Sequence, residues 1–266
     1  MKLTRREFIS LLGALGLSSC TTAHIPLIGS VKKPFKIAAL NDLHLRGERS
    51  RALVDQAVQQ INATQALRLA VVIGDLTSSA KLSEFNLAKD SLSRLRNPYK
   101  AVPGNHDFEE GAAHPFGNFE KVFGPLHWVR EQGGWTFVGL NSCQGTESDV
   151  TIPDGELDWL RQKLEHIPSQ RPIGLFLHHP LNPHTKAFRV KNAEQVLGLF
   201  AGKSLKLAAS GHYHGNQVEE RNGILFTTTA CCSSTRNNFD GTKTKGYRLF
   251  SFDGDTVTSE FVQVAV

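Results

Sequence analysis

The chain has 266 residues, of which 40% are hydrophobic and 21% are charged. These values are ordinary for a globular protein and exclude collagen-like, low-complexity and intrinsically disordered chains. The length is sufficient to bury a sizeable core, so folding itself requires neither disulfides nor a structural metal. No apolar run approaches the roughly 18 residues that span a bilayer, which argues against a polytopic membrane protein.

Basic residues exceed acidic ones by five, with 30 Lys and Arg against 25 Asp and Glu. Lys2, Arg5 and Arg6 against Glu7 contribute +2, which leaves +3 for the rest of the chain. So small an excess, without a run of more than two basic residues, is weak support for nucleic-acid binding. We therefore expect no nucleic-acid polymer as a partner, whereas a small anionic substrate suits this charge equally well.

The first twenty residues have the layout of an export signal. A basic start precedes an apolar stretch at 8–17 and then small residues. Arg5-Arg6 resembles the twin-arginine signal, and Leu-Ser-Ser-Cys at 17–20 resembles a bacterial lipobox. We therefore predict an export signal over residues 1–19, read by the twin-arginine export machinery, and lipidation of Cys20. The alternative is an amphipathic first helix that happens to end near a cysteine.

The predicted mature protein is a tether followed by one domain. Residues 20–34 contain prolines and no clear periodicity, which is typical of a short linker. Residues 35–266 show no internal repeat and are predicted to form one domain. A lipid on Cys20 would make this an exported lipoprotein of the periplasm or cell envelope, held on a membrane. A disulfide from Cys143 to Cys231 or Cys232 stays open, as does the oligomeric state.

From residue 35 the chain alternates short apolar runs with helical spacings, which indicates an α/β domain. The strand-like runs lie at 36–40, 69–73, 99–102, 135–140, 173–177 and 207–209. Apolar residues recur at helical spacing over 51–64 and 82–95. The tail is predicted to add closing strands at 224–229 and within 247–264, the latter broken by a turn at 253–255.

Five of the apolar runs stop at Asp, Asn or His. The segments that follow them are Asn41-Asp42, Gly74-Asp75, Gly104-Asn105-His106-Asp107, His178-His179 and Gly211-His212-Tyr213-His214. Any one of these residues alone is an ordinary turn former or polar side chain. Open sheets bind ligands beyond the carboxyl ends of their strands, and converging carboxylates and imidazoles are costly without cations. Together the segments predict a metal site, with an extended backbone pointing Asp42 and His44 to one side.

In chain order these segments resemble the motifs of the calcineurin-like metallophosphoesterases. The motifs are D-x-H at 42–44, G-D at 74–75, G-N-H-D at 104–107, H-x-P at 178–180 and G-H-x-H at 211–214. The resemblance covers roughly residues 36–216, and the G-N-H-D form is similar to the class III cyclic-nucleotide phosphodiesterase branch. It implies a four-layer α-β-β-α sandwich of two mixed sheets. It also implies a dinuclear phosphoesterase that hydrolyses small phosphodiesters or phosphomonoesters by attack of a metal-bound hydroxide.

The same resemblance implies which side chains hold the two metal ions. The first ion would bind Asp42, His44 and His214. The second ion would bind Asn105, His178 and His212, and Asp75 would bridge the two ions. Imidazole, carboxylate and amide donors without a thiolate suit Mn, Fe, Zn or Co.

The remaining site residues are expected to act on the substrate. The resemblance implies that His106 faces the substrate as a general acid or hydrogen-bond donor, with Asp107 orienting it. Arg236, in a polar rim segment at 231–245, and His179 are weaker substrate-binding candidates. The H-x-P register makes His178 the ligand, and His179 fits a structural role behind the ligands better than a contact with the substrate. Four aromatic residues could stack a nucleobase but fit core or cap positions better: Phe108, Phe116, Phe119 and Trp128. The alternatives are a hydrolase of nucleotide-sugar or lipid pyrophosphate bonds and a non-catalytic, surface-anchored metal-binding protein.

Overall fold

A computed structural model describes residues 33–264 of the chain. The predicted export signal at 1–19, the lipidation site at Cys20 and nearly all of the predicted tether at 20–34 lie outside the described residues. None of the helices in the described range combines the length and the apolar character that a membrane span requires.

The described residues form eleven strands and five α-helices. The strands are β1 (Phe35–Leu40), β2 (Leu67–Ile73), β3 (Tyr99–Val102), β4 (Trp128–Gln132), β5 (Trp135–Gly139), β6 (Pro172–Phe176), β7 (Ser204–Ser210), β8 (Gln217–Arg221), β9 (Ile224–Thr228), β10 (Gly246–Asp253) and β11 (Thr256–Gln263). The helices are α1 (Ala52–Ala63), α2 (Leu82–Leu92), α3 (Gly117–Phe123), α4 (Asp154–Glu165) and α5 (Ala193–Gly198).

The strands build two mixed sheets. The first sheet has the order β11-β10-β1-β2-β3, in which β1, β2 and β3 are parallel and β10 and β11 are antiparallel additions. The second sheet has the order β4-β5-β6-β7-β9-β8, with β5, β6, β7 and β9 parallel and the two edge strands antiparallel. Because parallel strands need crossover connections, helices lie between most of them and cover the sheets.

Strand β1 shows how the layers form. Ile37 and Ala39 pack into the cluster between the two sheets, together with Phe137 of β5. Ala38 and Leu40 point the other way, into a cluster with α1, α2 and α3. This alternation follows from the two-residue period of a strand. The outer face of the second sheet packs against α4 and α5 in a third cluster, so the predicted four-layer α-β-β-α sandwich of two mixed sheets is confirmed.

The predicted elements are confirmed within a few residues of their ends, including the turn between β10 and β11. Five elements were not predicted from the sequence: α3, α4, α5, β4 and β8. The open question of a disulfide is resolved for the described cysteines, because Cys143, Cys231 and Cys232 are all buried and free.

Candidate metal centre

The loops that leave the strands continue the pairing of the strands themselves. Beyond β1 and β2, Asp42 N donates to Gly74 O at 3.0 Å, and His44 N donates to Asp75 O at 3.0 Å. The two sheets are joined at the same edge, since His212 N donates to Asp42 Oδ2 at 2.9 Å. The polar segments that end separate strands are therefore brought together at one edge of the sandwich.

The backbone at this edge is unusual. Five of the predicted metal ligands have left-handed backbone angles, with φ between 45° and 63°: Asp42, His44, Asp75, His212 and His214. The expectation of an extended backbone across residues 42–44 is therefore wrong, because both Asp42 and His44 turn into the left-handed region directly after β1. Such residues cost about 1–3 kcal/mol each and collect at functional sites, where the surrounding structure holds them.

The predicted ligands form two groups that share one carboxylate. In the first group, Asp42 Oδ1 lies 3.1 Å from His214 Nε2, and His44 Nε2 lies 3.4 Å from Asp75 Oδ2. In the second group, His178 Nε2 lies 3.4 Å from Asp75 Oδ1 and 3.2 Å from Asn105 Oδ1. His212 belongs to this second group, whose His and carboxylate ligand atoms lie within 4.8 Å of one another, as they do in the first group.

Carbonyl groups fix the orientation of three of the imidazole rings. His178 Nδ1 lies 3.0 Å from Ile73 O, and His214 Nδ1 lies 2.9 Å from Asn237 O. His212 is held through its other nitrogen, with Nε2 3.0 Å from Ser148 O. A carbonyl can only accept, so each of these nitrogens carries the proton and the opposite nitrogen of a neutral ring points its lone pair into the site.

Burial and the two carboxylates divide the histidines into two pairs. Burial lowers the pKa of His44 to about 3 and that of His212 to about 4. Burial also disfavours charge on His178, but Asp75 overcomes this and raises its pKa to about 9. Asp42 in the same way overcomes burial and raises the pKa of His214 to about 11. Each carboxylate thus favours the cationic form of one ring, while burial favours the neutral form of the other two.

These side chains fit divalent metal ions. Two carboxylates, four imidazoles and one amide oxygen are almost completely buried, and the facing Nε2 atoms of His44 and His214 lie only 3.3 Å apart. Within the described part of the chain, His44 Nδ1 is buried and makes no hydrogen bond. Buried groups of this kind are costly unless paired or bound to metal, and nitrogen and oxygen donors suit Mn, Fe or Zn.

Two glycines make this crowding possible. A Cβ atom on Gly104 would collide with the carboxylate and backbone of Asp75. A Cβ atom on Gly74 would collide with the ring of His178, and the φ of Gly74 is +76°. The glycines of the G-D and G-N-H-D motifs thus allow neighbouring loops to approach the ligands closely.

His106 and Asp107 have different surroundings. His106 lines the cavity beside the ligand groups, and its backbone N donates to Asp75 Oδ1 at 2.9 Å. Asp107 is fully buried and accepts hydrogen bonds from the backbone of Leu76, Thr77 and Gly104 and from the Thr77 hydroxyl, all between 2.9 and 3.1 Å. Burial raises the pKa of Asp107 to about 7, with Asp75 adding to the rise and the hydrogen bonds opposing it.

Asp107 is expected to orient His106, and the contacts of its carboxylate are such that it can do so only through the backbone. Its carboxylate makes no bond to the His106 ring within the described structure, and it has no surface to offer a substrate. It instead ties the loop after β2 to the short turn Asn105–Asp107 that carries His106. Asp107 is a positioning residue.

The cavity beside the ligands has a volume of about 380 Å³ and contains one of the two weaker substrate-binding candidates. Arg236 lines this cavity, and its Nη2 lies 3.5 Å from His106 Nδ1. His179 is completely buried and does not line this cavity, so its position fits the supporting role expected for it better than a contact with the substrate. Its two ring nitrogens lie 2.9 Å from Ser142 Oγ and 3.2 Å from Glu147 O, so it supports the loops behind the site.

The predicted polar rim at 231–245 does reach the cavity. It contributes Thr235, Arg236, Asn237 and Phe239 to the lining. Lys245 does not line the cavity. Its Nζ donates to Arg236 O at 2.6 Å and to Asn238 Oδ1 at 3.1 Å, and these bonds stabilise the rim segment.

Sequence reasoning missed two aromatic residues of the cavity, Phe188 and Phe239. Both lie in loops, where no periodicity marks them. Of the aromatic residues considered instead, Phe119 and Trp128 are buried in the core, and Phe108 packs edge-on against Phe116. Whether a phenylalanine in a loop lies beside the G-H-x-H motif depends on the tertiary fold. Only the three-dimensional structure could therefore identify this pair.

Comparisons with known proteins agree with this geometry. The family model for the calcineurin-like phosphoesterases matches residues 35–216. A "Probable cyclic nucleotide phosphodiesterase" of Synechococcus sp. is 29% identical, covering 77% of this chain and 82% of its own length. The 3',5'-cyclic adenosine monophosphate phosphodiesterase CpdA of Escherichia coli is 25% identical, covering 91% of this chain and 93% of its own length.

A solved structure is similar in fold. The purple acid phosphatase PPD1 from yellow lupin superposes with a TM-score of 0.66 at 12% identity, over 87% of this chain and 52% of that one. The family match covers well over half of this chain and includes all the motifs at the sheet edge. The chain belongs to the calcineurin-like phosphoesterase family and is a metal-dependent hydrolase of phosphoester bonds.

Proposed function

We propose that the protein is a two-metal phosphodiesterase for small phosphodiesters, in which Asp75 bridges the two metal ions. One observation carries this proposal. The two oxygens of the Asp75 carboxylate face different ligand groups, with Oδ2 toward His44 and Oδ1 toward His178. A carboxylate in that position both spaces two cations and lowers their mutual repulsion.

The proposed ligand roles follow from the two groups. Asp42, His44 and His214 would hold one ion, and Asn105, His178 and His212 would hold the other. Two Mn, Fe or Zn ions at such a site supply Lewis-acid polarisation of the phosphate and activation of water. The chain's own residues then position the substrate and handle the proton of the leaving group.

His106 is the proposed proton donor. Its Nδ1 lies 3.3 Å from the carbonyl oxygen of Ser78, which can only accept a hydrogen bond. Because Nδ1 faces this carbonyl, Nε2 is the nitrogen left to face the leaving oxygen, to which it would donate a proton as the ester bond breaks. Arg236, on the same side of the cavity, places a permanent positive charge where it stabilises a phosphate oxygen.

The substrate class follows from the size of the cavity and from the relatives. A volume of about 380 Å³ is at the lower end of the range for small-molecule sites. Two relatives are named as phosphodiesterases of cyclic nucleotides, which are small phosphodiesters.

The proposed location rests on the sequence of residues 1–20. We propose that the twin-arginine machinery exports the protein and that a lipid on Cys20 anchors it to a membrane of the cell envelope. Cys20→Ser is expected to move the protein from the membrane fraction to the soluble fraction, and Arg5→Lys with Arg6→Lys to block export. A Cys20→Ser protein that stays with the membrane would refute the anchor.

The function is tested with bis(p-nitrophenyl) phosphate and Mn, Fe or Zn. Asp75→Asn is expected to lower the metal content from two ions per chain and to lower kcat by at least about 100-fold, because one bridge serves both ions. Asp90→Asn, an exposed change on α2, is the matched control and is expected to behave as the wild type. The proposal fails if the wild type hydrolyses no phosphodiester with any of these metals, or if Asp75→Asn keeps both ions and full activity.

A further inference from the structure

Asn41 lies directly before the D-x-H motif and is not one of the predicted metal ligands. It is completely buried and follows the last residue of β1. Its side-chain nitrogen Nδ2 donates to Asp42 Oδ2 at 2.5 Å and to the carbonyl oxygen of Thr229 at 2.9 Å. Both hydrogens of the amide are therefore used, one on a predicted ligand and one on the segment that follows β9.

The amide oxygen of Asn41 shows that this side chain serves as a donor. Within the described part of the chain, Asn41 Oδ1 is buried and makes no hydrogen bond, which is unfavourable for a polar atom. The opposite orientation of the amide would place this oxygen against Asp42 Oδ2 and Thr229 O, which are both acceptors. The two N–H groups are therefore the part of the side chain that the site uses.

The two oxygens of Asp42 have different surroundings. Oδ2 accepts the hydrogen bond from Asn41 and a second one from the backbone N of His212 at 2.9 Å. Oδ1 instead faces imidazole rings, with His214 Nε2 at 3.1 Å and His178 Nε2 at 3.9 Å. The N–H donors thus occupy one oxygen of the carboxylate and leave the other to face the ligand groups.

Asn41 is itself fixed to the end of the second sheet. Its backbone carbonyl accepts from Cys232 N at 3.0 Å, so both its main chain and its side chain contact the segment after β9. The buried Arg248 of β10 holds this segment in turn, because its Nε donates to Thr229 Oγ1 at 3.0 Å. Asn41 therefore fixes the Asp42 carboxylate relative to both sheets.

We propose that Asn41 is a positioning residue, which holds Asp42 by Oδ2 so that Oδ1 alone is presented to the metal ion of the first ligand group. This inference rests on the function proposed above and adds a residue on which its metal centre depends. Side chains that hold a metal ligand in place typically contribute about 10–100-fold to metal affinity. Because both N–H groups of Asn41 go to Asp42 and Thr229, its loss is expected to weaken the first site selectively.

The test is a calorimetric titration of Mn²⁺ into the full-length protein after treatment with EDTA. The wild type is expected to bind two ions per chain. Asn41→Leu keeps a branched side chain without its donors and is expected to weaken one of the two sites by at least about tenfold, while the other site keeps its affinity. In an Asn105→Ala background, which lacks a ligand of the second group, Asn41→Leu is expected to weaken the one remaining ion.

Two further variants separate positioning from a general loss of stability. Asn62→Leu is the same substitution at an amide that joins α1 to the loop after α2, through 2.8 Å hydrogen bonds to Arg94 O and from Arg96 N. It also removes two hydrogen bonds, and it is expected to leave both metal affinities unchanged. Asn41→Ala lacks the donors without added bulk, and it decides the test if circular dichroism shows that Asn41→Leu does not fold.

The outcomes separate this inference from the proposed function. Folded Asn41 variants with two unchanged affinities overturn the inference and leave the two-metal site intact. An equal loss at both sites also overturns it, because Asn41 would then only stabilise the fold. A wild type that binds a single ion refutes the two-metal function, and the inference then stands only if Asn41→Ala, but not Asn62→Leu, weakens that ion. A wild type that binds no Mn²⁺ overturns both.

Discussion

Replacement of Asp107 tests whether this carboxylate positions the site or takes part in the reaction. Its two oxygens accept four hydrogen bonds, from the backbone of Leu76, Thr77 and Gly104 and from the hydroxyl of Thr77. Asp107→Ala leaves these donors without an acceptor in a fully buried place. Each orphaned buried donor costs about 1–3 kcal/mol, and local relaxation and water recover part of the total.

We therefore expect Asp107→Ala to lower the free energy of unfolding by about 4 kcal/mol, a large share of the 5–15 kcal/mol of a typical domain. For a domain of this size that corresponds to a fall in Tm of roughly 8–16 °C. Urea unfolding followed by tryptophan fluorescence, with metal removed by EDTA, isolates this effect from metal binding. Asp107→Asn keeps one accepting oxygen and is expected to lower the free energy of unfolding by less than Asp107→Ala does.

Asp90→Ala is the control for Asp107→Ala, since Asp90 is exposed on α2. It is expected to change the stability by less than about 0.5 kcal/mol. A loss of less than 1 kcal/mol in Asp107→Ala, together with a large fall in kcat, would show that the four hydrogen bonds contribute little and that Asp107 acts in the chemistry.

Three further predictions concern the site itself. EDTA is expected to abolish hydrolysis and to lower Tm, because the buried ligands lose their cations, and Mn is expected to restore both. Arg236→Met is expected to raise KM by about tenfold as the phosphate loses a charged partner, which steady-state kinetics measures. Gly104→Ala is expected to lower metal content and kcat together, because its Cβ collides with Asp75. Gly155→Ala, in an open position on α4, is expected to raise helix stability by up to about 1 kcal/mol and leave metal content unchanged.

Periodicity predicted the fold because most strands here are buried on both faces. Such strands are continuous apolar runs with abrupt ends, as at Leu40 and Ile73. The abrupt ends also predicted the candidate site, since a polar residue directly after a buried strand must lie at the sheet edge. The edge strand β8 (Gln217–Arg221) is mostly exposed and polar, so no apolar pattern marks it. Helix α4 does carry Leu157, Leu160 and Leu164 at helical spacing, a signal that the sequence analysis overlooked.

Local backbone and loop geometry lay beyond sequence reasoning for a physical reason. The left-handed angles at Asp42 and His44 are disfavoured for any isolated residue and persist only through contacts with the loop after β2. The meeting of Phe188 and Phe239 likewise depends on two loops that are far apart in sequence. Neither property is encoded in a local pattern, so neither could be predicted from one.

The order of the strands explains why Asp75, rather than Asp42, lies between the two ligand groups. Strand β2 lies between β1 and β3, so the loop that carries Asp75 has Asp42 and His44 on one side and Asn105 on the other. The second sheet faces this arrangement with His178 after β6 and His212 and His214 after β7. A residue that follows the central strand β2 can reach the loops after both β1 and β3. A residue that follows β1 is separated from Asn105, which follows β3, by the width of β2. The position of Asp75 between the two ligand groups therefore follows from topology, and moving the carboxylate to another strand end would separate these groups.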